Sequence, residues 1–219
     1  MNPVLIDLCY LLAAVLFIMG LKGLTRPRTA VRGNLTGALG MLIAVVVTML
    51  HRDIVSVSGI LVGIAIGSAV GVVLAQKIAM TAMPQLVALF NGLGGGASVL
   101  VAGAFLGGTK FQGQLATGAC FADILTATAA SGLIGAVTLS GSLVAFAKLQ
   151  ELKFVKDISF SGQKAVNAIL ALASVGLCVL LVMQPAHSQL WYWLMSLLAT
   201  ALGVLLVISI GGADMPVVV

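Results

Sequence analysis

Between short polar connections the chain is a succession of apolar runs, each close to the roughly 20 residues that a helix needs to cross the hydrocarbon core of a bilayer. The runs fall at about 4–23, 34–50, 54–76, 85–107, 122–147, 165–183 and 190–209, and residues 216–219 read as the start of a further span. Inside lipid a backbone amide finds no water, so only internally hydrogen-bonded helices or closed barrels can span. Runs of this length, with no apolar/polar alternation, select helices. The sequence therefore predicts an all-α fold, a polytopic transmembrane helix bundle of about seven spans. Of the 219 residues 61% are hydrophobic and 8% charged, against about a quarter charged in soluble domains, so little is left over for an aqueous domain. Met1, Asn2 and Pro3 bring no basic n-region ahead of the first run, which is also too long for an h-region. It is expected to be a retained first helix rather than a signal peptide.

The net charge of +5 does not point to nucleic acid, because the basic residues are confined to the connections between apolar runs. On alternate connections, nine of the Lys and Arg fall on one side (Lys22, Arg26, Arg28, Arg32, Lys77, Lys148, Lys153, Lys156 and Lys164) and two on the other (Arg52 and Lys110). Cytoplasmic connections carry the excess of positive charge. The amino terminus and the connections at 51–53, 108–121 and 184–189 are therefore expected outside the cytoplasm, with 211–216 inside. Trp191, Tyr192 and Trp193 then reach the outer interface, where amphipathic aromatic rings concentrate. Cys9, Cys120 and Cys178 are odd in number, far apart and set in apolar runs. Neither a disulfide framework nor a thiolate metal site is expected of them.

Few residues in the spans carry chemistry. Gly59, Gly63, Gly67 and Gly71 recur every four residues on the third run, forming a groove along which another helix can approach closely. Gly92-Leu93-Gly94-Gly95-Gly96-Ala97 spells the dinucleotide fingerprint G-x-G-x-x-G/A. That motif works only between a strand and the start of a helix, whereas here it lies inside a membrane run, so the glycines read as close packing or a flexible stretch. Asn91 sits about two turns inside the fourth run, where a buried amide is costly without partners. It either glues two helices by hydrogen bonding or lines a wet cavity and orients water, being unable to take up and release a proton near pH 7. The fifth run carries Thr126, Thr128, Ser131, Thr138, Ser140 and Ser142, hydroxyls that satisfy their own helix or line a hydrated path. Asp7 and Asp123 lie near the outer ends of their runs, and His51 and His187 in outer turns. If the protein moves protons, no titratable group on this chain stands at mid-membrane to relay them, and a partner chain must supply one.

Three separate segments resemble one family: residues 80–88 (MTAMPQLVA), 135–138 with 141–146 (GAVT and GSLVAF), and 209–219 (SIGGADMPVVV). The chain is similar over essentially its whole length to the β subunit of proton-translocating nicotinamide nucleotide transhydrogenase. The resemblance implies a membrane enzyme complex that couples hydride transfer between NAD(H) and NADP(H) to proton passage. It implies that the nucleotides are bound by soluble domains of the complex, with none held by this chain. The β subunit of the family continues into further helices and a cytoplasmic NADP(H)-binding domain, so the chain is expected to be part of a longer protein. Other implied features are an α-type membrane subunit as partner, a dimer of heteromers, and a bacterial inner membrane.

Residue by residue, the family's proton-relaying histidine in the fourth helix aligns with Asn91, a departure from the pattern that places the relay on a neighbouring helix of the α-type subunit. Ser142 matches a serine of the proton path. Asp214 matches an acidic residue at the cytoplasmic surface where the nucleotide domain docks. A family glutamate of the fifth helix corresponds to Ala127, with Asp123 one turn away. A secondary transporter would instead show repeats and broken helices around a midplane site, and no repeat is evident. A passive membrane scaffold for soluble domains is the remaining alternative.

Overall fold

The computed structural model describes residues 3–50, 57–77, 79–108, 111, 122–152 and 160–210. Among them are seven long helices: α1 (Pro3–Leu24), α2 (Ala30–Leu50), α3 (Val57–Lys77), α4 (Met83–Gly107), α5 (Ala122–Leu149), α6 (Gln163–Met183) and α7 (Ser188–Ile208). All seven are long and apolar enough to cross a membrane, and no strand occurs among the described residues. The polytopic helical reading holds, and the chain is a multi-pass membrane protein. Residues 216–219 lie outside the described residues.

The chain forms two compact units, Met1–Lys77 and Ile78–Val219. In the first, α1 and α2 make a hairpin. A lipid-facing pair of helices gains little from hydrophobic burial, so its contact depends on how closely the backbones approach. Gly20, Gly23 and Gly33 set that distance: a Cβ on Gly33 would stand 2.7 Å from the Gly20 carbonyl oxygen, and one on Gly23 2.7 Å from the Gly33 Cα. The turn is closed by Thr29, whose hydroxyl donates to the Gly23 carbonyl at 2.7 Å and whose own carbonyl accepts the Gly33 amide at 2.8 Å. The latter bond starts α2 a turn before the run that hydropathy alone marks, so Arg32 rides on the helix. At the far end of the hairpin Tyr10 and Thr48 share a hydroxyl–hydroxyl bond of 2.9 Å.

In the second unit α5 is the central helix, packed against α4 and α7, with α6 against α7. Pro84 occupies the first turn of α4, where a missing amide hydrogen costs nothing. The core gathers Leu106, Leu125, Leu181, Tyr192, Met195 and Ala199. Tyr192 is fully buried: its ring lies over Gly132, and its hydroxyl donates to the Val99 carbonyl at 2.7 Å. Gly132 is what admits the ring. Trp193 remains partly exposed, stacked edge-on against Tyr192.

At the opposite end of this unit, polar side chains tie helix ends together. Gln85 of α4 donates to the Leu149 carbonyl at 3.0 Å, Gln163 of α6 donates to the Leu205 carbonyl at 2.8 Å, and Lys148 of α5 donates to the carbonyls of Ile208 and Ile210. The Leu149, Leu205 and Ile208 carbonyls are among those that the last turn of a helix leaves without intrahelical partners, and the Ile210 carbonyl lies just beyond the end of α7.

Candidate functional site on the α4–α5 seam

Helices α4 and α5 run antiparallel and touch through glycine. A Cβ on Gly95 would stand 2.7 Å from the Gly135 carbonyl oxygen and 2.8 Å from the Leu139 amide, and Gly92 abuts the Cβ of Ser142. The closeness of the backbones lets short polar side chains meet across the seam. Asn91 Nδ2 donates to Ser142 Oγ at 3.0 Å, and further along Ser98 Oγ and Ser131 Oγ lie 3.1 Å apart. Thr138 stands between the two pairs, lining the cavities on both sides of it.

One cavity, of about 150 Å³, is bounded by Asn91, Thr138, Gly141, Ser142, Ala145 and Val207. The other, of about 430 Å³, continues along the seam past Asn91 to Ser98 and Ser131. At about 30 Å³ per water the smaller holds several, and the amide and two hydroxyls supply the polar partners that ordered water needs. By helix rise, Asn91 lies about 12 Å from the start of α4 and Ser98 about 10 Å beyond it. The polar line therefore extends well into a hydrocarbon layer of about 30 Å. Asn91 is exposed at the surface of its unit while Ser142 is buried. An amide facing lipid tails would be badly solvated, so the exposed side of this seam calls for water or a polar group from another chain.

The structure thus brings together two residues singled out in the sequence, Asn91 and Ser142, which stand 51 positions apart. It also separates the hydroxyls of α5 by role. Thr126, Thr128 and Ser140 donate to their own helix, to Ala122, Ile124 and Ala136 at 2.6, 2.7 and 2.9 Å. Ser131, Thr138 and Ser142 face the seam. Ser98 is a member of the site that sequence reading passed over, although its spacing of seven from Asn91, like that of Thr138 from Ser131, marks a shared helix face. Val207, a wall of the smaller cavity, likewise carries no mark in the sequence.

The other expected positions lie elsewhere. Gly59, Gly63, Gly67 and Gly71 line α3, and a Cβ on Gly63, Gly67 or Gly71 would meet nothing within 4 Å. Asp123 is exposed in the first turn of α5, and Ala127 is exposed one turn on. Asp214 lies outside the described residues, as does Cys120. Cys9 and Cys178 are free thiols, and among the described residues no three His, Cys, Asp or Glu side chains cluster as a metal site would require. The Gly92–Ala97 fingerprint does not fit a pyrophosphate, because it lies mid-helix in α4 with Gly92 and Gly95 pressed against α5.

The family model described as NAD(P) transhydrogenase beta subunit matches residues 6–219. Two curated proteins of Rhodospirillum rubrum, one of them from strain ATCC 11170, are both named NAD(P) transhydrogenase subunit beta. Each is 44% identical over 210 residues, covering 96% of this chain and 45% of its own length. The chain thus spans a little under half the length of these relatives.

Proposed function

The chain belongs to the NAD(P) transhydrogenase beta subunit family, and from that premise we propose that it forms part of a proton-conducting membrane domain coupled to hydride transfer between NAD(H) and NADP(H). The observation that carries the proposal is the hydrogen-bonded pair Asn91–Ser142, set in a polar cavity inside the apolar spans and open on the Asn91 side. A helix needed only as an anchor has no use for an exposed amide at this depth, since polar groups within membrane spans are costly and mark functional paths.

In this reading Asn91 and Ser142 hold and orient water without carrying the proton themselves. The amide is neutral and keeps its protons near pH 7. Its Nδ2 is committed to Ser142, which leaves Oδ1 to accept from a water or from a partner's side chain. The titratable relay comes from the α-type membrane subunit, facing Asn91 across the seam. The open glycine face of α3 receives another helix of the complex. NAD(H) and NADP(H) stay in soluble domains, and the NADP(H) domain acts on the cytoplasmic surface near Asp214. Proton access from each side must alternate with nucleotide state, because a path open throughout would dissipate the gradient.

The same proposal places the amino terminus outside the cytoplasm of a bacterial inner membrane, in a dimer of heteromers. The deciding experiment is Asn91→Leu in the complete complex, assayed in vesicles with a pH-sensitive dye. Proton-coupled turnover is expected to fall at least about tenfold, equivalent to about 1.4 kcal/mol in the barrier, while nucleotide exchange that does not move protons persists. Unchanged coupling would sink the role of Asn91 and leave the chain a scaffold.

A further inference from the structure

One turn from the Asn91–Ser142 pair, toward the end where α4 begins and α5 and α7 finish, the seam changes character. Ala88 and Ala145, both buried, form a small apolar cluster with Phe146, Leu149, Val207 and Ile210 packed on them. Val207 is also a wall of the cavity that contains Asn91 and Ser142. The cluster shares Ala145 and Val207 with the wall of that cavity and so lies between it and this end of the seam. Closely packed apolar side chains exclude water, and such constrictions gate by dewetting.

Two of the plugging residues, Val207 and Ile210, belong to the end of α7, where the helix finishes at Ile208. A helix end is the part that frays most easily, so something must hold it against α5. Lys148 meets that need. Its side chain is buried, 7% exposed, and its ammonium donates to the carbonyls of Ile208 and of Ile210, the latter at 2.6 Å. A cation at the carboxyl end of a helix also interacts favourably with the helix dipole. The two accepting carbonyls adjoin the plug, one on the residue after Val207 and the other on Ile210 itself.

We infer that Lys148 is a positioning residue that clamps the end of α7 so that Val207 and Ile210 close the Asn91–Ser142 cavity. The inference rests on reading that cavity as part of a proton path, and adds the device that keeps it shut from this side. Lys148 lies on α5 six residues beyond Ser142, about 9 Å by helix rise. The same helix therefore carries both the polar site and its latch.

The test uses the complete complex in vesicles, with Cys9, Cys120 and Cys178 replaced by alanine and Val207→Cys as reporter. A small membrane-impermeant thiol reagent is applied from the side where α7 ends. With Lys148 intact, labelling is expected to be slow. Lys148→Met, which keeps the apolar stem and removes the donors, is expected to raise the rate about tenfold or more, and Lys148→Arg to return it to within about threefold of the parent. If Lys148→Met does not assemble, Lys148→Gln, which keeps an amide donor on a shorter stem, is read the same way with a smaller increase. Equal labelling with and without the lysine overturns the clamp. Labelling requires no proton movement, so that failure is distinguishable from failure of the Asn91 reading, in which Asn91→Leu leaves coupling unchanged while the lysine still controls access to Val207.

Discussion

A hydrogen bond between two neutral side chains inside a membrane is worth less than intuition suggests, about 0.6 kcal/mol on average and rarely above about 1.7. The Asn91–Ser142 bond should therefore matter more for placing water than for holding α4 to α5. Ser142→Ala is accordingly expected to lower the melting temperature of the complex little, to cost about 1 kcal/mol at most in stability, and to slow proton-coupled turnover by about fivefold. A double-mutant cycle with Asn91→Ala, read on turnover, should return a coupling energy near 1 kcal/mol. Full additivity would mean that the two act separately. That these residues meet was only half legible in the sequence. Their types and family positions singled them out, but a bond spanning 51 positions depends on how two helices dock, which helix-by-helix pattern reading does not contain. Lys148 shows the opposite failure. Counting basic residues treats every lysine as a solvated topology marker, and this one is buried on two carbonyls.

Between helices, the glycines decide. Gly95 faces the backbone of α5 with no flexible side chain able to yield, since a Cβ there would lie 2.7 Å from the Gly135 carbonyl oxygen. Gly95→Ala must push α4 and α5 apart and is expected to destabilise by about 1–3 kcal/mol, the usual cost of overpacking. Gly176→Ala, on the exposed face of α6 with nothing within 4 Å of the added Cβ, is expected to stay within about 0.5 kcal/mol. Thermal unfolding of both variants in detergent checks the pair; similar melting temperatures would mean that the seam is looser than described. The helices themselves were readable because lipid leaves a long apolar run no alternative to a helix. Their packing was not. Gly94 and Gly95 look alike in sequence, yet one has open space beside it and the other a carbonyl. The start of α2 likewise moved because Thr29 closes the turn through hydrogen bonds that a hydropathy window cannot register.

For the molecule as a whole, orientation in the membrane decides which end of the polar seam meets which compartment. The nine-to-two division of Lys and Arg depends on where the connections lie, and burial of Lys148 removes it from the set of solvated charges. Eight against two still gives the same sign, so the amino terminus is expected outside and the end of the second unit that holds Gln85, Lys148 and Gln163 in the cytoplasm. Two exposed positions at opposite ends of that unit test this directly: Ala186, in the short turn before α7, and Gln150, just after α5. In a background where Cys9, Cys120 and Cys178 are alanine, Ala186→Cys should react with an impermeant thiol reagent on intact cells stripped of their outer membrane. Gln150→Cys should react only after permeabilisation. The reverse pattern would turn the bundle over, placing the Lys148 end and the plugged side of the Asn91–Ser142 cavity away from the cytoplasm. On the proposed proton path, this one measurement therefore decides from which compartment the plugged side of the cavity is reached.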